Sequence, residues 1–109
     1  MHNPINIESV KQELQRALEA RQVGKEGRAR VCARRAAGWA VLIYRRQTDS
    51  EITDENAMKN LEWLKANHSD EVIRSTAGRL IVRVGEDYRL PHTQDPLEDA
   101  GLIIARLLE

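Results

Sequence analysis

The chain has 109 residues, 41% hydrophobic and 31% charged, a balance typical of one globular domain rather than a disordered segment. Its 17 basic and 17 acidic residues cancel, so no net field attracts it to nucleic acid or to a membrane surface. The single cysteine, Cys32, excludes an intrachain disulfide and a metal site built from clustered cysteines. Because the N-terminal sequence lacks the charged and apolar regions of a signal peptide, we expect a cytoplasmic protein.

An amphipathic helix over residues 7–22 is the first predicted element, because apolar residues recur there three and four positions apart. Asn6 is the expected N-cap, and Gly24 offers a left-handed stop. The short joint over residues 24–27 predicts that the next helix runs back antiparallel to the first.

A central helix is predicted over residues 25–46. Nine consecutive apolar or aromatic residues, 36–44, lie between two arginine pairs, too few for a membrane span of roughly 20 residues. At about 100° per residue, one stripe of the helix carries only alanines: Ala29, Ala33, Ala36 and Ala40. A stripe of small residues lets a neighbouring helix approach closely, which predicts that this helix is the buried hub of a bundle.

Three shorter helices complete the prediction. Thr53 is the expected cap of the third helix, which ends near residues 66–68, and Ser69 is the expected cap of the fourth, which ends at Gly85. Residues 79–84 are rich in β-branched side chains, so a strand there is the competing interpretation. After a loop over residues 86–94, Asp95 and Pro96 signal a last helix. The expected fold is a single all-α domain, residues 1–109, with about five helices.

The central helix also carries an unusual charge. Residues 25–46 hold seven lysines and arginines against one acid, and the arginines form two rows: Arg30, Arg34 and Arg45 on one, Arg28, Arg35 and Arg46 on the other. Since guanidinium groups bind phosphate well, the first row is a candidate contact for phosphate or a partner. The favoured alternative is internal neutralisation by two acidic blocks, residues 49–55 and 86–99, so nucleic-acid binding is not expected.

Catalytic and cofactor chemistry find little support in the sequence. His68 and His92 lack a metal-ligand spacing and are expected in exposed loops. Cys32 is expected to be a small core residue, because no base is evident near it. No cofactor, metal or glycine-rich phosphate loop is predicted.

Apolar residues cover more of the last helix than one short bundle needs to bury. The central helix also spreads its large side chains around its circumference. These two features predict a homodimer, and a further protein partner stays open. The candidate dimer contacts are Val41, Leu97, Ile104 and Leu108.

The run from Gly27 to Gly38, rich in alanine and arginine, resembles the central helix of small prokaryotic proteins of the HEPN superfamily. The segment Asp87-Tyr88-Arg89-Leu90-Pro91, followed by an acidic helix start, is similar to them as well. The resemblance implies a helical bundle associated with nucleotides, RNA cleavage or toxin–antitoxin pairs. Ribonuclease members carry an arginine followed, after four to six residues, by histidine. No arginine stands at that distance before His68 or His92, which implies a non-catalytic member with no catalytic residue. RNA processing remains the alternative function.

Overall fold

A computed structural model of the chain describes residues 4–82 and 90–109, and within them it contains five α-helices and no strand. The helices are α1 (Ile7–Gln22), α2 (Glu26–Arg46), α3 (Ala57–Asn67), α4 (Glu71–Leu80) and α5 (Pro96–Leu108). The predicted all-α bundle is therefore confirmed.

Helix α2 lies at the centre, packed against α1, α5 and α3, while α4 packs against α3 and α5. All four alanines of its predicted small-residue stripe are fully buried. Side chains this small let the neighbouring helix axes come close, which raises packing density without large aromatic residues. Two groups of buried residues result. The larger draws on all five helices, and the smaller joins Val10 of α1, Ala36 and Ala40 of α2, and Ile104 of α5.

The start of α3 comes very close to α2 at Gly38. A Cβ atom placed on it would lie 2.4 Å from the Cα atom of Ala57, far inside a normal carbon–carbon contact. The backbone of the first residue of α3 therefore rests directly on α2 at a position where only a hydrogen fits.

The helix caps follow the sequence in part. Asn6 caps α1 in a reciprocal capping box with Ser9, and Asp95 caps α5, as predicted. The other two assignments are wrong: Asn56 caps α3 in place of Thr53, and Asp70 caps α4 in place of Ser69. In each case the cap is the residue whose side-chain oxygen accepts from backbone N–H groups two or three positions ahead.

Helix α4 ends at Leu80, earlier than the predicted end at Gly85. The guanidinium of Arg34 reaches across from α2, where its Nε donates to the Leu80 carbonyl (2.8 Å) and its Nη2 to the Val82 carbonyl (3.4 Å). A cation at this position satisfies carbonyls that the helix leaves unpaired and complements the negative end of its dipole. Residues 79–80 are helical and 81–82 are not extended into a strand, while residues 83–89 lie outside the described residues.

Candidate functional site: the cationic face of the α1–α2 hairpin

Three arginines of α2 have internal roles. Arg34 holds the end of α4, as described above. The Arg45 guanidinium lies 4.5 Å above the Trp63 ring and donates from Nη1 to the Asn60 side-chain oxygen (2.9 Å). The Arg46 Nε donates to the Ile52 carbonyl (2.7 Å), tying the α2–α3 connection to the end of α2.

Arg30, the third residue of the predicted phosphate row, keeps only 21% of its side chain exposed and lies 3.9 Å from a Glu26 carboxylate oxygen. Of this row, Arg34 and Arg45 thus join α2 to α4 and α3, whereas Arg30 pairs within α2. Its role in binding phosphate or a partner stays a prediction.

A buried carboxylate that was not identified from the sequence lies beside the other arginine row. Glu13 of α1 is 1% exposed, and its two oxygens accept from Arg16 Nη1 (3.1 Å) and Arg35 Nη1 (2.7 Å). One negative charge thus holds two guanidiniums whose side chains remain 59% and 47% exposed. The available signal was the position of Glu13 among Val10, Ala17 and Ala20, since an acid on a buried stripe needs a cation beside it.

Arg28 lies beside this cluster on the same outer surface. It is exposed and forms no ion pair with any other described residue. One shallow groove runs from Arg16 past Val23 and Lys25 to Arg28, and a second runs from Arg28 past Val31 to Arg35. We call this surface the hairpin face and define it by the residues that bear on its chemistry: Arg16, Val23, Lys25, Arg28, Val31 and Arg35.

Two further ion-pair groups fix the position of α5. Arg21 of α1 donates to both oxygens of Glu26 and of Asp95, at 2.7–2.9 Å. The hydrogen bonds from Arg21 lower the pKa values of both carboxyl groups. The hydrogen bonds to these carboxylates, first that to Asp95 and then that to Glu26, raise the pKa of Arg21. The Arg79 guanidinium binds both oxygens of Asp99 at 2.9 Å, and this bond raises the pKa of Arg79.

These pairs differ in one detail from the expectation that the two acidic blocks neutralise the arginines of the central helix. Asp95 and Asp99 belong to the second acidic block, yet they bind arginines of α1 and α4 rather than those of the central helix. Arg35 and Arg30 of α2 pair instead with Glu13 and Glu26, which lie outside both blocks.

His68 and His92 are half-buried, not exposed as predicted. His68 Nδ1 accepts from the Asp70 backbone N–H (3.0 Å), and its ring lies 5.9 Å from that of Tyr44, so this imidazole helps to order the α3–α4 connection. His92 Nδ1 lies 3.2 Å from the Gln94 carbonyl oxygen, to which it can only donate. Cys32 is 4% exposed and packs in the core, as predicted.

The candidate dimer contacts are mostly inside the bundle. Val41 is fully buried, so it has no surface to offer a second subunit in this fold. Leu97 and Ile104 are 5% and 7% exposed, whereas Leu108 is half-buried. The large aliphatic side chains that are exposed on α1 are Ile7 and Leu18, at 45% and 42%, and further exposed valines lie on α2 and α4.

Among the described residues, no group of three or more histidine, cysteine, aspartate or glutamate side chains is arranged to hold a metal ion. In the same part of the chain, no helix combines the length and the apolar character that crossing a membrane requires. What the arrangement offers chemically is recognition: oriented guanidinium groups beside exposed aliphatic side chains. The chain matches no family model, and no curated protein or solved structure is significantly similar to it.

Proposed function

We propose that this chain is a non-catalytic helical assembly module that forms a homodimer through the flank where α1 meets α5. The observation that carries the proposal is the exposure of Ile7 and Leu18 on this flank of α1. At about 100° per residue both side chains project within about 20° of each other, so they lie on the same edge of α1, about three turns apart.

Helix α5 supplies the other side of the flank. Ile104 packs with Val10, and Asp95 binds Arg21, so α5 runs antiparallel to α1. Leu108 is half-buried at the end of this edge, and a Cβ atom added to Gly101 would meet no atom within 4 Å. Open space above a glycine is a hole in which a side chain of a second helix can pack.

A second copy of the chain suits this edge. The formal charge is zero, so two copies do not repel one another strongly. A two-fold axis would bring the Leu18 of each subunit toward the Gly101 opening of the other, using the same surface twice. Relative to the sequence prediction, this interface keeps Leu108 and the last helix and replaces Val41 with the exposed edge of α1.

The test is the mass in solution, measured by light scattering or sedimentation at micromolar concentrations. We expect twice the 12.4 kDa of one chain. Leu18→Glu should yield a folded monomer, because a buried unpaired carboxylate at the interface is costly. Val72→Glu is the matched control: Val72 is 50% exposed on α4, away from this flank, and its variant should remain dimeric. A wild-type monomer at 100 µM would overturn the proposal.

The alternative function is RNA processing or a place in a toxin–antitoxin pair, as the resemblance to HEPN proteins implies. We expect no ribonuclease activity, because the arginine–histidine spacing is missing and both described histidines bond to their local backbone. Cleavage of a broad RNA pool that disappears in His68→Ala or His92→Ala would favour the alternative over the assembly module.

A further inference from the structure

We propose that the hairpin face is a docking surface for an acidic amphipathic helix of a partner protein. This surface lies on the opposite side of α1 from the proposed dimer flank, since Arg16 and Leu18 project about 200° apart on the helix. The two proposals are therefore independent, and a dimer would leave this surface open.

Charge is the first reason. Four cations, Arg16, Lys25, Arg28 and Arg35, line the two grooves, against Glu19 and the buried Glu13. A local excess of positive charge thus persists on a chain whose total formal charge is zero. Such a surface attracts anionic groups, carboxylates among them, while the rest of the molecule has no general attraction for polyanions.

The second reason is that the cations are held in place. Glu13 binds one Nη atom of Arg16 and one of Arg35 from below, while both side chains remain about half exposed. Each guanidinium therefore keeps further N–H donors for an incoming carboxylate, and less side-chain entropy is lost when it binds. A buried carboxylate that serves two exposed arginines preorganises them.

Exposed aliphatic groups between the cations define the shape of the ligand. Val31 is 46% exposed and lies between Arg28 and Arg35 on one face of α2, and Val23 is 69% exposed at the end of α1. Arg28 and Arg35 are seven residues, or about 10.5 Å, apart along the helix axis. A partner helix with two carboxylates seven positions apart and an aliphatic residue between them matches this spacing.

A nucleic acid fits the same surface less well. Its phosphates would pair with the cations, but aromatic side chains for base stacking do not line either groove, and the two valines would gain no apolar partner from a phosphate backbone. The alternation of cation and valine favours a peptide.

The experiment is selection from a displayed library of helical peptides of about 15 residues, followed by titration of the enriched peptides against the purified chain. We expect enrichment of two carboxylates seven positions apart around an aliphatic residue, with affinity that falls as salt increases. Arg28→Gln should weaken binding about three- to five-fold, in line with one exposed charge pair. No described residue relies on Arg28 for an ion pair, so the weaker binding is not an effect on folding. An unchanged melting temperature of Arg28→Gln would verify this.

Two controls complete the design. Arg106→Gln removes an exposed arginine of α5 that lies outside the hairpin face, and binding should not change. Leu18→Glu should bind the peptides as well as wild type, whether or not it disrupts a dimer. Enrichment of neutral or basic peptides, no enrichment, or binding insensitive to Arg28→Gln would overturn the proposal. Oligonucleotide binding that is tighter than peptide binding and lost in Arg28→Gln would do so too, assigning the surface to nucleic acid.

Discussion

Replacing Gly38 with alanine tests the close contact between α2 and α3. In an exposed helix interior this change stabilises a protein by about 1 kcal/mol, because alanine has the higher helix propensity. Here the new Cβ would lie 2.4 Å from the Ala57 Cα, 2.5 Å from its Cβ and 2.9 Å from its carbonyl oxygen. Carbon atoms normally approach to about 3.5–4.0 Å, so the start of α3 must shift by about an ångström.

The cost of such overpacking is about 1–3 kcal/mol, which outweighs the gain in propensity. We expect Gly38→Ala to lower the melting temperature by about 4–8 °C for each kcal/mol lost. Thermal unfolding followed by circular dichroism measures the shift. The double variant Gly38→Ala with Ala57→Gly should recover only part of the loss, because the contact with the Cα atom remains.

Gly78→Ala is the matched control for this prediction. Gly78 lies inside α4, and a Cβ added to it would meet only the flexible Lys65 side chain, at 3.6 Å, an ordinary contact. This variant should be as stable as wild type or more stable by up to about 1 kcal/mol. If Gly38→Ala behaves like Gly78→Ala and melts at or above the wild-type temperature, the close approach of α3 to Gly38 is refuted.

Two further predictions concern polar groups. Arg21 lowers the pKa values of Glu26 and Asp95 below their ordinary 4.5 and 3.8, so their contribution to stability is complete above these values and is lost as pH falls through the lowered ones. Chemical denaturation from pH 6 to pH 3 should show this loss, and Arg21→Gln should flatten it; an equally steep acid dependence in the variant would contradict the assignment. Asn60 is 1% exposed and donates to two backbone carbonyls, so Asn60→Ala should cost about 1–3 kcal/mol, while the exposed Asn67→Ala should cost much less. Equal melting temperatures for these two variants would show that the buried amide contributes little.

The helices could be predicted from the sequence because each has apolar residues at helical spacing, together with residues that favour the start or the end of a helix. The first helix has the predicted bounds, and the left-handed Gly24 follows it at φ +79°. The alanine stripe of α2 indicated a buried hub because small residues at helical spacing have few other uses. Caps were less certain, since Thr53 and Asn56, like Ser69 and Asp70, are all residues that favour N-caps.

The partners of the arginines could not be predicted in the same way. An ion pair such as Arg21–Asp95 joins residues 74 positions apart, and only the packing of the helices brings them together. Arg34 is bonded to the end of α4 for the same reason: its acceptors are backbone carbonyls, which have no signature in the sequence. The hairpin face could be recognised only from the structure, in which Glu13 lies beneath two arginines.

The position of α5 has a consequence for how the chain folds during synthesis. Helix α5 packs along both α1 and α2, and Asp95 is bonded to a residue 74 positions earlier. A ribosome therefore completes α1 to α4 before α5, which packs on α1, α2 and α4, exists. The nascent chain can form the α1–α2 hairpin from local contacts, but its core stays uncovered until α5 leaves the exit tunnel. During that interval the apolar residues that α5 covers are exposed to water, and rare codons placed before α5 would prolong this exposure.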